Sequence, residues 1–153
     1  MKRSLRQVTF AILMMLATQF ILGMTLNLFE TLPAKHPGQT GNYFVRSGHS
    51  FAWAITFGGG IVLFLHVLVA LGLLGHSIML FVRSIKTHSK PWTWVSTIGM
   101  LGIMAAFSNG LSFLDFNHDF SSFIMAMGYI VATIAYGVGL FMQPQKSTPV
   151  AKR

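Results

Sequence analysis

Charged side chains are absent from four long stretches of the chain: residues 8–29, 51–82, 92–113 and 120–142, of 22, 32, 22 and 23 residues. About 20 consecutive apolar residues are enough for a helix that crosses a membrane. The pattern therefore predicts an all-α fold, an integral membrane four-helix bundle, with spans at about 8–29, 51–82, 92–113 and 120–142. The connections between them are short. The longest, residues 30–50, carries Pro33, Pro37, Gly38 and Gly41, and the connection at 114–119 is six residues. Residues 1–143 read as one four-span domain, and the polar stretch 144–153, with two prolines, reads as a disordered tail. The first run is too long for the apolar core of a secretory signal, and no small-x-small cleavage site follows it, so it is expected to be retained as a span.

The second run is too long for a straight crossing. Its 32 residues would reach roughly 48 Å as one helix, against a hydrocarbon core of about 30 Å. Gly58, Gly59 and Gly60 interrupt it. The expectation is a break there, with residues 51–57 at the outer interface and His49 folded back toward the mouth of the bundle.

Composition agrees with this reading. Of the 153 residues, 53% are hydrophobic and 9% charged, where a soluble domain carries about 25% charged. A soluble enzyme and a disordered chain are both excluded on that ground. There is no cysteine, so disulfides, thiolate metal sites and thiol catalysis do not arise. The net charge of +8 would suit nucleic acid if the basic residues were clustered on a soluble face, but they are not. Lys2, Arg3 and Arg6 precede span one, Arg83, Lys86 and Lys90 lie between spans two and three, and Lys146, Lys152 and Arg153 are in the tail. Nine of the eleven thus fall on one side, and Lys35, Arg46 and all three acids (Glu30, Asp115, Asp119) fall on the other. By the positive-inside rule both termini are cytoplasmic, and the basic excess meets anionic lipid, not nucleic acid. Trp92 and Trp94, beside Lys90, read as interface-belt residues, with Trp53 in the same role on the outer side.

A weak parallel repeat relates the two hairpins. Leu22, Gly23, Asn27 and Glu30 echo Leu101, Gly102, Asn109 and Asp115, while His49, Ser50 and Phe51 echo His118, Asp119 and Phe120. Each hairpin supplies an Asn near the outer end of its first helix, an acid beyond it and a His before the second helix.

Polar residues within the spans carry what functional signal there is. Counted from the cytoplasmic anchors at about 1.5 Å per residue, His66 and Asn109 stand roughly 25 Å up, and Asn27, Ser121 and Ser122 about 30 Å up. They form one layer in the outer leaflet, with His76 alone near the inner face. An ionisable group inside a span is costly and normally faces the bundle interior. His66 reads either as a neutral ring bonded to Asn109 or Asn27 across helices, or as an axial haem ligand or proton-relay group. His118 and Asp119 read as a helix start or as a ligand held by its carboxylate. His36 reads as part of a turn with Pro37 and Gly38, and His88 as a loop residue. Glu30, His36, His49, Asp115, His118 and Asp119 crowd the outer side, where a His/carboxylate metal site built on His66, His118 and Asp119 is one expectation. Asn27 and Asn109 either bond helix to helix or orient a ligand head group. Gly72, Gly75, Ala105, Ala106, Gly128, Ala132, Ala135 and Gly139 recur at helical spacings that favour close helix packing. No nucleotide-binding loop, nucleophile elbow or zinc-protease motif is present.

Leu26, Asn27, Leu28 and Phe29, then Pro33, then His36, Pro37 and Gly38 form one recognisable segment; Asn109, Gly110, Phe113, Leu114, Asp119, Ser121, Ser122 and Met125 form another. Together they resemble a family of small four-span bacterial membrane proteins over nearly the whole chain. That resemblance implies the topology and a bacterial plasma membrane, and it assigns no active residues. More loosely, the chain is similar to the four-helix halves of haem A synthases and other b-type cytochromes, which ligate haem by a His pair from two helices. The likeness implies His66 as one ligand and His118 or His49 as the other, although span four holds no His within it.

Three functions follow as expectations. The first is an outward-facing polar site of His66, His118, His49, Asn27 and Asn109 that binds haem b or a quinone for electron transfer. The second is a non-catalytic subunit that binds lipid or a membrane partner and uses the polar layer as glue. The third is a small transporter, formed as a homo-oligomer because four helices make a narrow monomer, whose flux changes between about pH 5 and 8 as His66 titrates. Nothing in the motifs marks an enzyme.

Overall fold

The computed structural model describes residues 4–33, 40–116 and 119–142, with positions 115, 116 and 119 in backbone only. These form five helices, α1 (Leu5–Phe29), α2 (Tyr43–Ile55), α3 (Gly60–Lys86), α4 (Lys90–Phe116) and α5 (Asp119–Phe141). All but α2 are long and apolar enough to cross a membrane. The protein is an all-α, multi-pass membrane bundle. The 144–153 tail lies outside the described residues.

The four long helices form a closed ring. α1 packs on α3 and α5, and α4 packs on α3 and α5, while the backbones of the two diagonal pairs do not come close among the described residues. Every neighbouring pair is antiparallel. On α1 and α3, Gly23 meets His66 and Met15 meets Gly72. On α1 and α5, Phe20 stacks on Tyr129 with ring centroids 5.6 Å apart, and Thr9 meets Gly139. One end of the ring carries Arg6, Arg83, Lys86 and Lys90; we call it the basic end, and the opposite end the far end.

Small residues set the closest approach at Gly72, Ala106, Gly128, Ala132 and Gly139 of the expected set, while Gly75 of that set has open space around it. A Cβ on Gly128 would stand 2.5 Å from the Gly102 carbonyl oxygen and 3.0 Å from the Ala106 nitrogen. The α4 and α5 backbones therefore touch there, which only small side chains allow. Gly99 leaves room for the ring of Tyr136, which is fully buried with Ile12, Leu73 and Leu80 in the main core. At the basic end Trp92 is buried against Gly139 while Trp94 is 67% exposed. Trp94 thus occupies a belt position, whereas Trp92 fills the space a side chain at 139 would need.

The long second run divides where its glycines stand. Turn residues 56–59 separate α2 from α3, with Phe57 at φ 62° and Gly60 at φ 82°. Trp53 lies so close over Gly58 and Gly59 that a Cβ on Gly58 would run into its ring. Helix α2 starts at Tyr43, well inside the stretch expected as loop. Asn42 caps it, its side-chain oxygen accepting from the Val45 N–H at 3.1 Å, and Ser47, Ser50 and Ala54 make a buried stripe at helical spacing. Tyr43 and Ser112 hydroxyls meet at 2.9 Å and tie α2 to α4. Ala54, Leu63 and Val67 form a second apolar cluster with Leu26, Leu32 and Leu114, so α2 closes the far end.

Candidate functional site

His66 lies on α3, about 9 Å below the far end of that helix by its rise per residue. Its Nε2 is 2.9 Å from the side-chain nitrogen of Gln19 on α1. As placed, the Gln19 amide donates to Nε2, which leaves the proton on Nδ1. Gly23, one turn beyond Gln19 on the same face of α1, makes the approach possible. A Cβ there would stand 3.2 Å from His66 Cε1 and 3.7 Å from Nδ1, so the ring rests on bare backbone.

The pairing is incomplete. His66 Nδ1 and Gln19 Oε1 are both buried and have no hydrogen-bond partner. Exchanging the amide oxygen and nitrogen of Gln19 does not cure this: the ring then donates from Nε2, Nδ1 becomes a bare acceptor, and the amide N–H groups lose their partner. Either arrangement leaves one ring nitrogen and one end of the amide unpaired. A buried polar atom in that state costs about 1–3 kcal/mol.

The other expected site residues are dispersed. Asn109 on α4 turns its amide back on its own helix, donating to the Ala105 carbonyl at 2.9 Å. Asn27 is exposed near the end of α1, and His49 is exposed on α2. Glu30 is the exposed C-cap of α1. His76 Nδ1 donates to the Gly72 carbonyl at 2.9 Å, and His88 sits in the exposed turn before α4 with φ 52°. Asp115 and Asp119 belong to α4 and α5, with side chains outside the described set; His36, Asn117 and His118 lie outside the described residues altogether. Among the described residues no three His, Asp or Glu side chains come together as a metal site.

Gln19 and Gly23 are the site residues that sequence reasoning passed over. The signal was available: a Gln inside an apolar run, with a Gly four residues on, marks one face of α1 as polar and open. Two further groups share the interior, Thr133 Oγ1 and the Tyr136 hydroxyl, both buried without a hydrogen-bond partner. Tyr136 stands toward the Ser77 hydroxyl but outside hydrogen-bond geometry. A cleft of about 360 Å³ among Arg6, Gln7, Phe10 and Leu140 opens at the basic end and does not include His66.

No known protein family, curated protein or solved structure matches the chain.

Proposed function

We propose that this membrane protein binds the head group of a lipid-soluble carbonyl compound of the quinone class at His66 and Gln19. The observation that carries the reading is the buried, unpartnered Nδ1 of His66, which is an N–H when Gln19 donates to Nε2. A quinone carbonyl is an acceptor of the right kind, it arrives through lipid, and its isoprenoid tail needs no polar contact. Gln19 fixes the ring from its other side, as a partner that holds a histidine in one tautomer does. The unpaired amide oxygen is a second polar contact for a hydroxyl on the reduced head group.

A haem would use the same ring differently. One nitrogen would bind iron while the other is held by a partner, and Gln19 suits that second role. The described residues offer no second histidine beside His66, since His49 is exposed on α2, so quinone is the reading we favour. In the cell the basic end faces the cytoplasm, in keeping with the Lys and Arg asymmetry, and the membrane is the bacterial plasma membrane that the family resemblance implies.

The test is direct. Protein purified in mild detergent is extracted for quinone, and a short-chain quinone is titrated against it with tryptophan fluorescence as the readout. His66→Leu should weaken binding at least tenfold while the protein stays monodisperse. Equal binding by His66→Leu and the parent, or binding by neither, overturns the proposal. Oxidised and dithionite-reduced absorption spectra of the same sample decide for or against haem.

A second reading is favoured by a different observation: the Gln19–His66 bond crosses from α1 to α3. In a non-catalytic subunit that binds lipid or a membrane partner, this bond would serve as helix glue. His66→Leu would then change stability alone.

A further inference from the structure

The interior polar groups stand in order along the bundle axis. Nearest the basic end, the Ser84 and Ser96 hydroxyls meet at 2.6 Å, fully buried between α3 and α4. Two turns farther along α3 is Ser77, also fully buried, with the Tyr136 hydroxyl turned toward it. Thr133 follows on α5. It lies three residues before Tyr136 and four after Tyr129, so it shares their face, and Tyr129 stacks on Phe20 beside Gln19. The step from Ser84 to Ser77 is about 10 Å along α3, and those from Tyr136 to Thr133 and from Thr133 to Tyr129 are about 4.5–6 Å along α5. The order then ends at Gln19 and His66.

Beyond His66 the character changes at once. Leu63, one turn toward the far end, is buried with Ala54 and Val67, and Leu26, Leu32 and Leu114 pack against them. Buried polar groups resume past that layer, at Ser47 and Ser50 on α2 and Ser121 on α5. The series that starts at the basic end is interrupted by this apolar layer one turn past His66.

Four buried atoms along this series have no hydrogen-bond partner: Tyr136 Oη, Thr133 Oγ1, Gln19 Oε1 and His66 Nδ1. Packing alone does not explain them, because apolar groups of the same shape would fill the space without leaving atoms unpaired. Buried water does explain them, since an internal water typically makes about three hydrogen bonds to such atoms. Hydroxyl groups both donate and accept, so a file of water and hydroxyls can pass a proton along.

We propose that a narrow water-filled half-channel runs from the basic end of the bundle to the Gln19–His66 pair and is sealed from the far end by the apolar layer beneath α2. Protons then reach His66 from one side of the membrane. Ile12, Leu73 and Leu80 are buried in the same core as Tyr136. The proposal does not depend on what His66 binds.

The chain has no cysteine, so a single introduced thiol reports alone. Ser77→Cys and Thr133→Cys place one on the proposed path with little change in volume. Ile12→Cys is the buried apolar control, Leu63→Cys lies in the seal, and Lys86→Cys marks the basic side. Silver ion, about the size of a water molecule, is applied to sealed vesicles from one side and quenched. The protein is then denatured, and the remaining thiol is labelled with a fluorescent maleimide. The half-channel predicts that Ser77→Cys and Thr133→Cys are blocked at least tenfold faster from the Lys86→Cys side than from the other. It also predicts that Ile12→Cys and Leu63→Cys stay unblocked from that side. Blocking of the path thiols no faster than Ile12→Cys, or equally from both sides, overturns it. If one path variant fails to fold, as judged by size-exclusion chromatography, the other carries the result.

Discussion

The side-chain nitrogen of Gln19 lies 2.9 Å from Nε2 of His66 and joins α1 to α3 inside the bundle. Removing one partner strands the other inside the bundle. Gln19→Leu should therefore lower stability by about 0.5–2 kcal/mol, the range for interhelical and buried hydrogen bonds. The Gln19→Leu/His66→Leu double variant should lose less than the sum of the single variants, since no polar group is then left unpaired. Thermal unfolding in detergent measures all three; a strictly additive double variant would show that the two side chains do not act as a pair.

The backbone contact between Gly102 and Gly128 makes its own prediction. A Cβ on either meets the carbonyl oxygen of the other within 2.7 Å, so Gly128→Ala forces α4 and α5 apart and should cost about 1–3 kcal/mol. Gly75 and Gly137 have nothing within 4 Å of an added Cβ. There Gly→Ala should be neutral, or stabilise by up to about 1 kcal/mol through helix propensity. Similar unfolding temperatures for Gly128→Ala and Gly137→Ala would contradict the close contact.

At the turn between α2 and α3, Gly60 has φ 82°, a region that side chains disfavour by about 1–2 kcal/mol. Gly60→Ala should cost about that much. Gly58→Ala acts differently, by pushing on Trp53. In a Trp92→Phe/Trp94→Phe background, where Trp53 is the sole tryptophan, Gly58→Ala should shift its emission to the red as the ring leaves its seat. Unchanged emission would mean that Trp53 does not rest on the turn.

Reporter fusions after residue 153 and within residues 86–90 should report the cytoplasm, and a fusion near residue 40 should report the opposite side. Replacing Arg83, Lys86 and Lys90 together with neutral residues should weaken that bias. A cytoplasmic signal at residue 40 would reverse the orientation.

The four long helices and the break at the glycine triplet were legible because apolar run length and glycine placement are local properties. The extent of α2 was not. Arg46, Ser47, Gly48, His49 and Ser50 look like loop until Ser47, Ser50 and Ala54 are seen to share one buried face. His66 stood out as an ionisable residue inside a span, but its partner did not. Counting depth along straight helices pointed to Asn27 and Asn109, whereas Gln19 is the residue that reaches His66, on the face that Gly23 leaves open. Which face meets which neighbour is a tertiary fact, and periodicity supplies it only once the ring order of helices is known. The expectations for His36 and His118 concern positions outside the described residues.

Helix α2 turns Ser47 and Ser50 toward the protein and leaves Phe44, at 83%, with Val45 and Ile55 exposed. A segment of this kind has a ready place in the interface plane, with its apolar face in lipid and its serines toward water. Docking on α3 and α4 exchanges that water for protein around the serines, and the far end of the bundle is closed only while α2 is docked.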